Sequence, residues 1–293
     1  MDKLYALTTV FNPCGYQSRN TLYREFAGRC AHDGLTLYTV EAALPGQPFS
    51  VTDSGNPQHI QVHYDKPLWL KESLLNVALK RLPKDAGYVA WLDADVSFRN
   101  PDYIAQAIQK LQDHDVIQMF SLMVDLDADQ MVPDETLPIP GSVYNRSIGN
   151  SEFRNGHAWA ARLDFLQKLG GFLDFAIVGS GDRLMRLSFE GSDPNQFLKE
   201  LNLTENFEEA VRQWAARAHP ARLGYVPGLL YHHYHGKKQN RQYDSRWKIL
   251  SHHRFSPADD LLRDGSGLIS FRGNKPAMEA EIAAYFAARK EDE

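Results

Sequence analysis

The sequence predicts an α/β fold in which a mostly parallel central sheet is flanked by helices. Three observations carry this reading. Residues 4–11, 18–32 and 35–40 read in turn as strand, helix and strand, a right-handed βαβ unit of roughly 30 residues. Residues 88–92 form a short, continuously apolar run, which suits a strand covered on both faces. Asp93 and Asp95 follow that run at once, and open α/β sheets hold their ligands at the C-terminal ends of their strands.

The elements follow in order. Asn12-Pro13-Cys14-Gly15 breaks the first strand, and the helix over 18–32 carries Leu22, Phe26 and Cys30 on one stripe before Gly34 ends it. No Gly-x-Gly-x-x-Gly follows the first strand, which disfavours an ordinary dinucleotide fold. Residues 44–65, rich in Pro and Gly, read as a loop with one short strand at 59–63. A helix is expected over 67–82, closed by Pro83. Asn100-Pro101 has the chemistry of a helix N-cap and first position, with the helix running to Leu111. Residues 116–124 read as one strand and 125–151 as irregular. Asp125, Asp127 and Asp129 imitate the start of an EF-hand, but Gln130 stands where that loop needs glycine and Thr136 where it needs glutamate. A strand at 155–161 and a helix at 163–169, stopped by Gly170-Gly171, come next. Asp182 opens a helix over 183–189, residues 195–218 read as packing helices, and 223–226 as a short strand.

The 293 residues suffice for one large domain or two small ones, and 43% apolar with 24% charged content is that of an ordinary globular chain. A net charge of −5 argues against a dedicated nucleic-acid binder without removing a local basic groove. Cys14 and Cys30 are too few for a disulfide framework and read as reduced thiols. No apolar stretch of signal or membrane length is present, so no membrane span and a cytoplasmic location are expected; on that expectation the sequon at Asn145 carries no weight.

Three groups of residues carry chemistry. On an extended backbone Asp93 and Asp95 project to one side, and two hard oxygen ligands so placed suit Mg2+ or Mn2+; an Asx-rich turn is the structural alternative. Three histidines fall within 232–235. If that stretch is extended, His233 and His235 share a face while His232 points away, so one of that pair could complete a metal site. Residues 236–254 hold six cations, among them Lys237 and Lys238, against the single anion Asp244. A solvated face, a diphosphate clamp and a patch for a polyanionic acceptor all fit that run. Asp182, at a helix start, is either a simple cap or a catalytic base.

Taken in order, four stretches resemble the GT-A class of nucleotide-sugar-dependent glycosyltransferases, in its galactosyltransferase-like, family 2-like branch. They are Leu7-Thr8-Thr9-Val10-Phe11-Asn12-Pro13; Trp69-Leu70-Lys71-Glu72 with Asn76, leading to Trp91-Leu92-Asp93-Ala94-Asp95; Asn155-Gly156-His157-Ala158-Trp159-Ala160 with Gly170-Gly171-Phe172-Leu173-Asp174 and Gly179-Ser180-Gly181-Asp182; and His235-Gly236-Lys237-Lys238. They span about residues 4–250. No single motif is specific, but their order is that of the class.

The resemblance implies a Rossmann-like GT-A domain over 1–235, with a donor half at about 1–125 and an acceptor half at about 150–235. A basic helical extension over 236–293 packs on the same domain. It implies a hexosyltransferase that moves a sugar from a nucleotide-diphosphate sugar, with a UDP-sugar expected, to an acceptor hydroxyl, with inversion and with Mn2+ or Mg2+ as cofactor. Asp95 would ligate the metal, Asp93 the metal or the ribose, and His235 or His233 would complete the coordination. Thr8, Phe11 and Asn12 would lie near the base and ribose. Lys71, Asn76, Lys237 and Lys238 would serve the donor, although Lys71 and Asn76 lie about 140° apart on a helix and would not make the same contact. Asp182 would be the general base, with Asp174 as the fallback; the class often shows two consecutive acids where this chain has one. Gly156 and Trp159 would bound the acceptor, and Trp159 fits the core equally well. The acceptor stays open among a lipid or polysaccharide precursor, a protein, a small molecule and a hydroxylated nucleic-acid base, as some bacteriophage enzymes use. A metal-dependent nucleotidyltransferase and a non-catalytic carbohydrate- or nucleotide-binding module are the competing readings.

Overall fold

The structure is a computed structural model that describes residues 3–133, 139–140, 154–243 and 245–293. Thr136, the sequon at Asn145, Asp244 and most of the stretch read as irregular therefore lie outside the described residues. In chain order the strands and helices are β1 (Leu4–Phe11), α1 (Gln17–His32), β2 (Thr36–Ala43), β3 (His59–His63), α2 (Lys71–Leu79), β4 (Tyr88–Leu92), β5 (Val96–Phe98), α3 (Tyr103–Asp113), β6 (Val116–Gln118), β7 (Leu122–Asp125), β8 (Ile139–Pro140) and β9 (Ala158–Arg162). They continue with α4 (Leu163–Leu169), α5 (Gly181–Phe189), α6 (Pro194–Leu198), α7 (Glu205–Ala218), β10 (Leu223–Tyr225), β11 (Leu229–His232), α8 (Trp247–His252), α9 (Pro257–Asp260), β12 (Leu261–Arg263), β13 (Ile269–Phe271) and α10 (Pro276–Ala288).

The central sheet has the order β10-β6-β9-β4-β1-β2-β3. Its pairs are parallel except where β9 runs against β4 and β6. A mostly parallel sheet flanked by helices is thus what the chain forms. The apolar run of β4 has a direct cause: Val89 and Trp91 face one core, while Ala90 and Leu92 face the other. The first core takes its side chains from α2, α4, α5, α7, α8 and α10, and the second from α1 and α3. Thr8 Oγ1 donates to the Leu92 carbonyl at 2.8 Å and ties β1 to the end of β4.

Several boundaries moved. The apolar run 116–124 is two strands in two sheets, because the chain turns at Met119–Phe120 and β7 joins β5, β11 and β8 in a second sheet. Continuous hydrophobicity does not record such a change of partner. Helix α2 starts at Lys71, and Trp69 N, ahead of it, donates to the Ile177 carbonyl at 2.9 Å. Asn100 caps a turn ahead of α3, accepting from Asp102 N at 3.0 Å, and the helix begins at Tyr103. The segment after residue 236 is not purely helical, because β12 and β13 form an antiparallel hairpin. Met278, Ile282, Tyr285 and Phe286 of α10 join the first core. Among the described residues no helix is long and apolar enough to cross a membrane.

Candidate functional site

A cavity of about 600 Å³ opens at the C-terminal end of β4. Its floor is Asp93-Ala94-Asp95, directly after the strand. The end of β1 and the first turns of α1 supply Phe11 and Arg19, and the start of α5 supplies Asp182. The antiparallel β9 brings its N-terminal end to the same rim, where Asp93 N donates to the His157 carbonyl at 2.7 Å.

Asp95, His232 and His235 are buried together, with their candidate ligand atoms within 4.8 Å of one another. Asp95 Oδ2 is 3.0 Å from His235 Nε2, and Asp95 Oδ1 is 3.8 Å from His232 Nε2. The partners bear on the tautomers. His232 Nδ1 meets Asp125 Oδ1 at 2.7 Å, and a carboxylate only accepts, so Nδ1 carries the proton. His235 Nε2 lies 3.0 Å from both Arg241 Nη2, which only donates, and Asp95 Oδ2, which only accepts, so it can serve either as donor to Asp95 or, with its proton on Nδ1, as a ligand. In the Nδ1–H form of His235 three acceptors converge, and Asp95 Oδ1 is buried with no hydrogen-bond partner. A divalent cation satisfies such a set. Burial, reinforced by the charge of Arg19, pushes His235 below its usual value and keeps it in the neutral form that ligates. Burial would raise the Asp125 carboxyl, but the His232 hydrogen bond, the Arg154 charge and the Lys238 hydrogen bond hold it far below the usual range.

Asp93, Asp95 and His157 form a second group whose candidate ligand atoms lie within 4.8 Å of one another, and Asp93 also has other partners. It pairs with Lys71 Nζ and accepts from His157 N at 3.1 Å. Burial raises its carboxyl and Lys71 opposes that. His157 stands at φ 78°, in the left-handed region that a non-glycine residue rarely enters, and Ser180 stands at φ 68° on the opposite wall. Burial, with His232 beside it, keeps His157 neutral by lowering its pKa well below the usual value. Asp182 lies in the first turn of α5, and its carboxylate packs against the bare Cα of Gly156. Glu72 is buried next to it; burial outweighs Lys71, and Asp182 adds to the rise, so its carboxyl is pushed up to about 8. Arg241 and Arg246 also line the cavity, and the Nε of each is buried without a partner among the described residues.

Of the residues expected from sequence, Phe11, Lys71, Asp93, Asp95, Gly156, Asp182 and His235 line this cavity. Thr8 is buried beneath it, and Asn12 spends its side chain on both backbone groups of Tyr16. Asn76 bonds Phe172 and Asp174, and Asp174 is ion-paired to Arg263, so both hold the fold away from the cavity. Trp159 is a core residue, stacked on Trp91 at 6.3 Å with its indole N–H on the Asn155 carbonyl at 2.9 Å. His233 does not join the Asp95 group. Strand β11 ends at His232, so alternation no longer governs the next residues, and His233 turns to Ser97 and Gln130. Lys237 is exposed, and Lys238 pairs with Asp125 behind His232. Sequence reasoning missed His157, His232, Arg19, Glu72 and Arg289 as lining residues. Arg241 and Arg246 lay within the basic run; nothing local marks Arg19 or Arg289.

No family model matches the sequence, and neither does any curated protein. Among solved structures, the chain is similar to the catalytic domain of Drosophila β1,4-galactosyltransferase 7, with 10% identity over 95% of this chain and 98% of that one and a TM-score of 0.44. It is similar to S. aureus TarS 1–349 in complex with UDP-GlcNAc, with 12% identity over 98% and 81% and a TM-score of 0.44. It is also similar to the 4-diphosphocytidyl-2C-methyl-D-erythritol synthase of Anaerococcus prevotii, with 10% identity over 78% and 89% and a TM-score of 0.33. Likeness at this level says nothing of chemistry, and the functional reading rests on the chain's own residues.

Proposed function

We propose that this chain is a divalent-metal-dependent glycosyltransferase of the GT-A type, moving a sugar from a nucleotide-diphosphate sugar to an acceptor hydroxyl with inversion. The observation that carries the reading is one cavity lined by the Asp95, His232 and His235 group, by a set of arginines and by the Asp182 carboxylate. Two imidazole nitrogens with one carboxylate favour Mn2+ over Mg2+, whose sites are built of oxygen. Bound there, the cation supplies Lewis-acid stabilisation of the departing nucleoside diphosphate. Arg241 and Arg246 offer buried, unsatisfied N–H groups to the same diphosphate. Lys71 and Asp93 hold the donor against the floor, and Phe11 presents a ring to the base of a UDP-sugar. Asp182 takes the acceptor proton as the hydroxyl oxygen bonds to the anomeric carbon and the bond to the diphosphate breaks. Residues up to about 125 form the donor half, those from about 150 the acceptor half, and those after 236 an extension on the same domain.

The test is a thermal-shift screen of UDP and UDP-sugars with and without Mn2+. Ligand at a hundredfold over its Kd adds about 2.7 kcal/mol to stability, and Asp95→Ala is expected to abolish the metal-dependent part. Asp182→Asn is expected to keep donor binding and to lose turnover by about 10²–10⁴-fold. Release of a nucleoside diphosphate identifies the transferase, and release of inorganic diphosphate would identify a nucleotidyltransferase instead. If no nucleoside diphosphate shifts the melting temperature in the presence of Mn2+, the proposal fails.

A further inference from the structure

We infer that Glu291, close to the C-terminal end of the chain, is the positioning residue for His235, doing for that imidazole what Asp125 does for His232. The inference rests on the metal reading above. To hold a cation with Asp95, His235 has to offer the lone pair of Nε2, the atom that lies 3.0 Å from both Asp95 Oδ2 and Arg241 Nη2. Its proton then belongs on Nδ1, which is buried and lacks a hydrogen-bond partner. The carboxylate facing Nδ1 is Glu291, with Oε2 at 3.7 Å, so a shift of roughly half an ångström or more brings it within hydrogen-bond distance. His232 shows the completed version of the same arrangement, with Nδ1 at 2.7 Å from the Asp125 carboxylate. A carboxylate behind a ligating imidazole fixes its tautomer and ring orientation and raises its basicity.

Glu291 is itself held with little freedom. It is 4% exposed and accepts from both Arg19 and Arg289, each of which lines the cavity. Arg19 Nη1 lies 3.7 Å from Asp95 Oδ2, and its other N–H groups are drawn to Glu291, which keeps this guanidinium from taking Asp95 for itself. The surrounding backbone is clasped to α1. Asp292 accepts from Gln17 N at 3.0 Å and Ser18 N at 2.8 Å, and Ser18 Oγ donates to the Glu291 carbonyl at 2.9 Å. Gly236, at φ 87°, makes room for the same segment, since a Cβ there would lie 2.9 Å from Glu291 Cα. The residue after His235 is thus shaped to receive the residue behind His235.

The experiment pairs Mn2+ titration calorimetry with 15N NMR of the imidazole nitrogens in the full chain. In the metal-free wild type, His235 is expected to carry its proton on Nδ1; a proton on Nε2 overturns the inference without any variant. Glu291→Gln is expected to lower Mn2+ affinity by about 10–100-fold and to move His235 toward the Nε2–H form. Asp292→Ala loosens the same clasp without touching His235, and its Mn2+ affinity is expected to stay within about threefold of wild type. Equal losses in the two variants would mean that Glu291 acts only by docking the tail, and no loss in Glu291→Gln would mean that it does not act at all; either result sinks the inference. If Glu291→Gln does not fold, Glu291→Asp, which keeps the charge and withdraws the carboxylate, takes its place with the same expectation. A wild type that binds no Mn2+ at all defeats the metal reading instead, and the tautomer still decides the role of Glu291.

Discussion

Glu72 shows how far burial can move a residue's chemistry. Its carboxyl is pushed from the usual 4.5 to about 8, by burial first and by Asp182 beside it, against the pull of Lys71. The folded chain holds this proton more tightly than the unfolded chain does. Its contribution to stability is therefore full below about pH 4.5 and is lost as the pH rises through about 8. Glu72→Gln keeps the neutral shape and removes the titration, so thermal denaturation at pH 5 and pH 8 should show a smaller loss of melting temperature in the variant. Equal losses would show that Glu72 is ionised in the folded chain. Gly156 makes a second point at this scale. A Cβ there would lie 2.3 Å from Asp182 Oδ2 and 3.7 Å from Asp93 Oδ2, so Gly156→Ala must turn the Asp182 carboxylate away. Turnover is expected to fall by about 10²-fold with donor-dependent thermal stabilisation retained; unchanged turnover would remove Asp182 from the reaction. Asp93, Asp95 and Asp182 were legible in the sequence because each sits at the end of a local element. His232 was not, because the choice between it and His233 depends on where β11 stops.

Trp159 is a lesson in elements. In the motif it stands among residues expected to meet an acceptor, but β9 alternates, and its even partner faces one core while Trp159 faces the other with Trp91. Trp159→Ala should cost about 3–5 kcal/mol of stability in urea denaturation. A loss of acceptor affinity with unchanged stability would return it to the site. Elements bounded by local signals were read well: β4 ends at its carboxylates, and α4 ends at Gly170, whose φ of 79° only glycine adopts freely. Elements bounded by distant partners were not. The division of 116–125 between two sheets depends on pairing with β9 and β11, and the β12–β13 hairpin depends on a partner strand rather than on any strong alternation of its own.

At the scale of the whole molecule, residues more than 270 positions apart meet at the start of α1. Tyr16, the residue before that helix, supplies no side-chain cap, and the Asp292 carboxylate accepts from Gln17 N and Ser18 N in its stead. Asp292→Ala should cost about 1 kcal/mol, the worth of an N-cap, as read from urea unfolding. An unchanged midpoint would show that the clasp is not formed in solution. No sequence motif announces this contact, and the same holds for Arg19, Arg289 and Glu291, which meet only because α10 carries the chain back across the first core. The reversed course of β9 has a consequence of its own. Asp93 leaves β4 and His157 enters β9 facing one another, one position beyond the Leu92–Ala158 pair, so their spacing is fixed by strand register. The sheet thus sets the distance between a carboxylate and an imidazole of the cavity just as it sets the distance between any two facing residues.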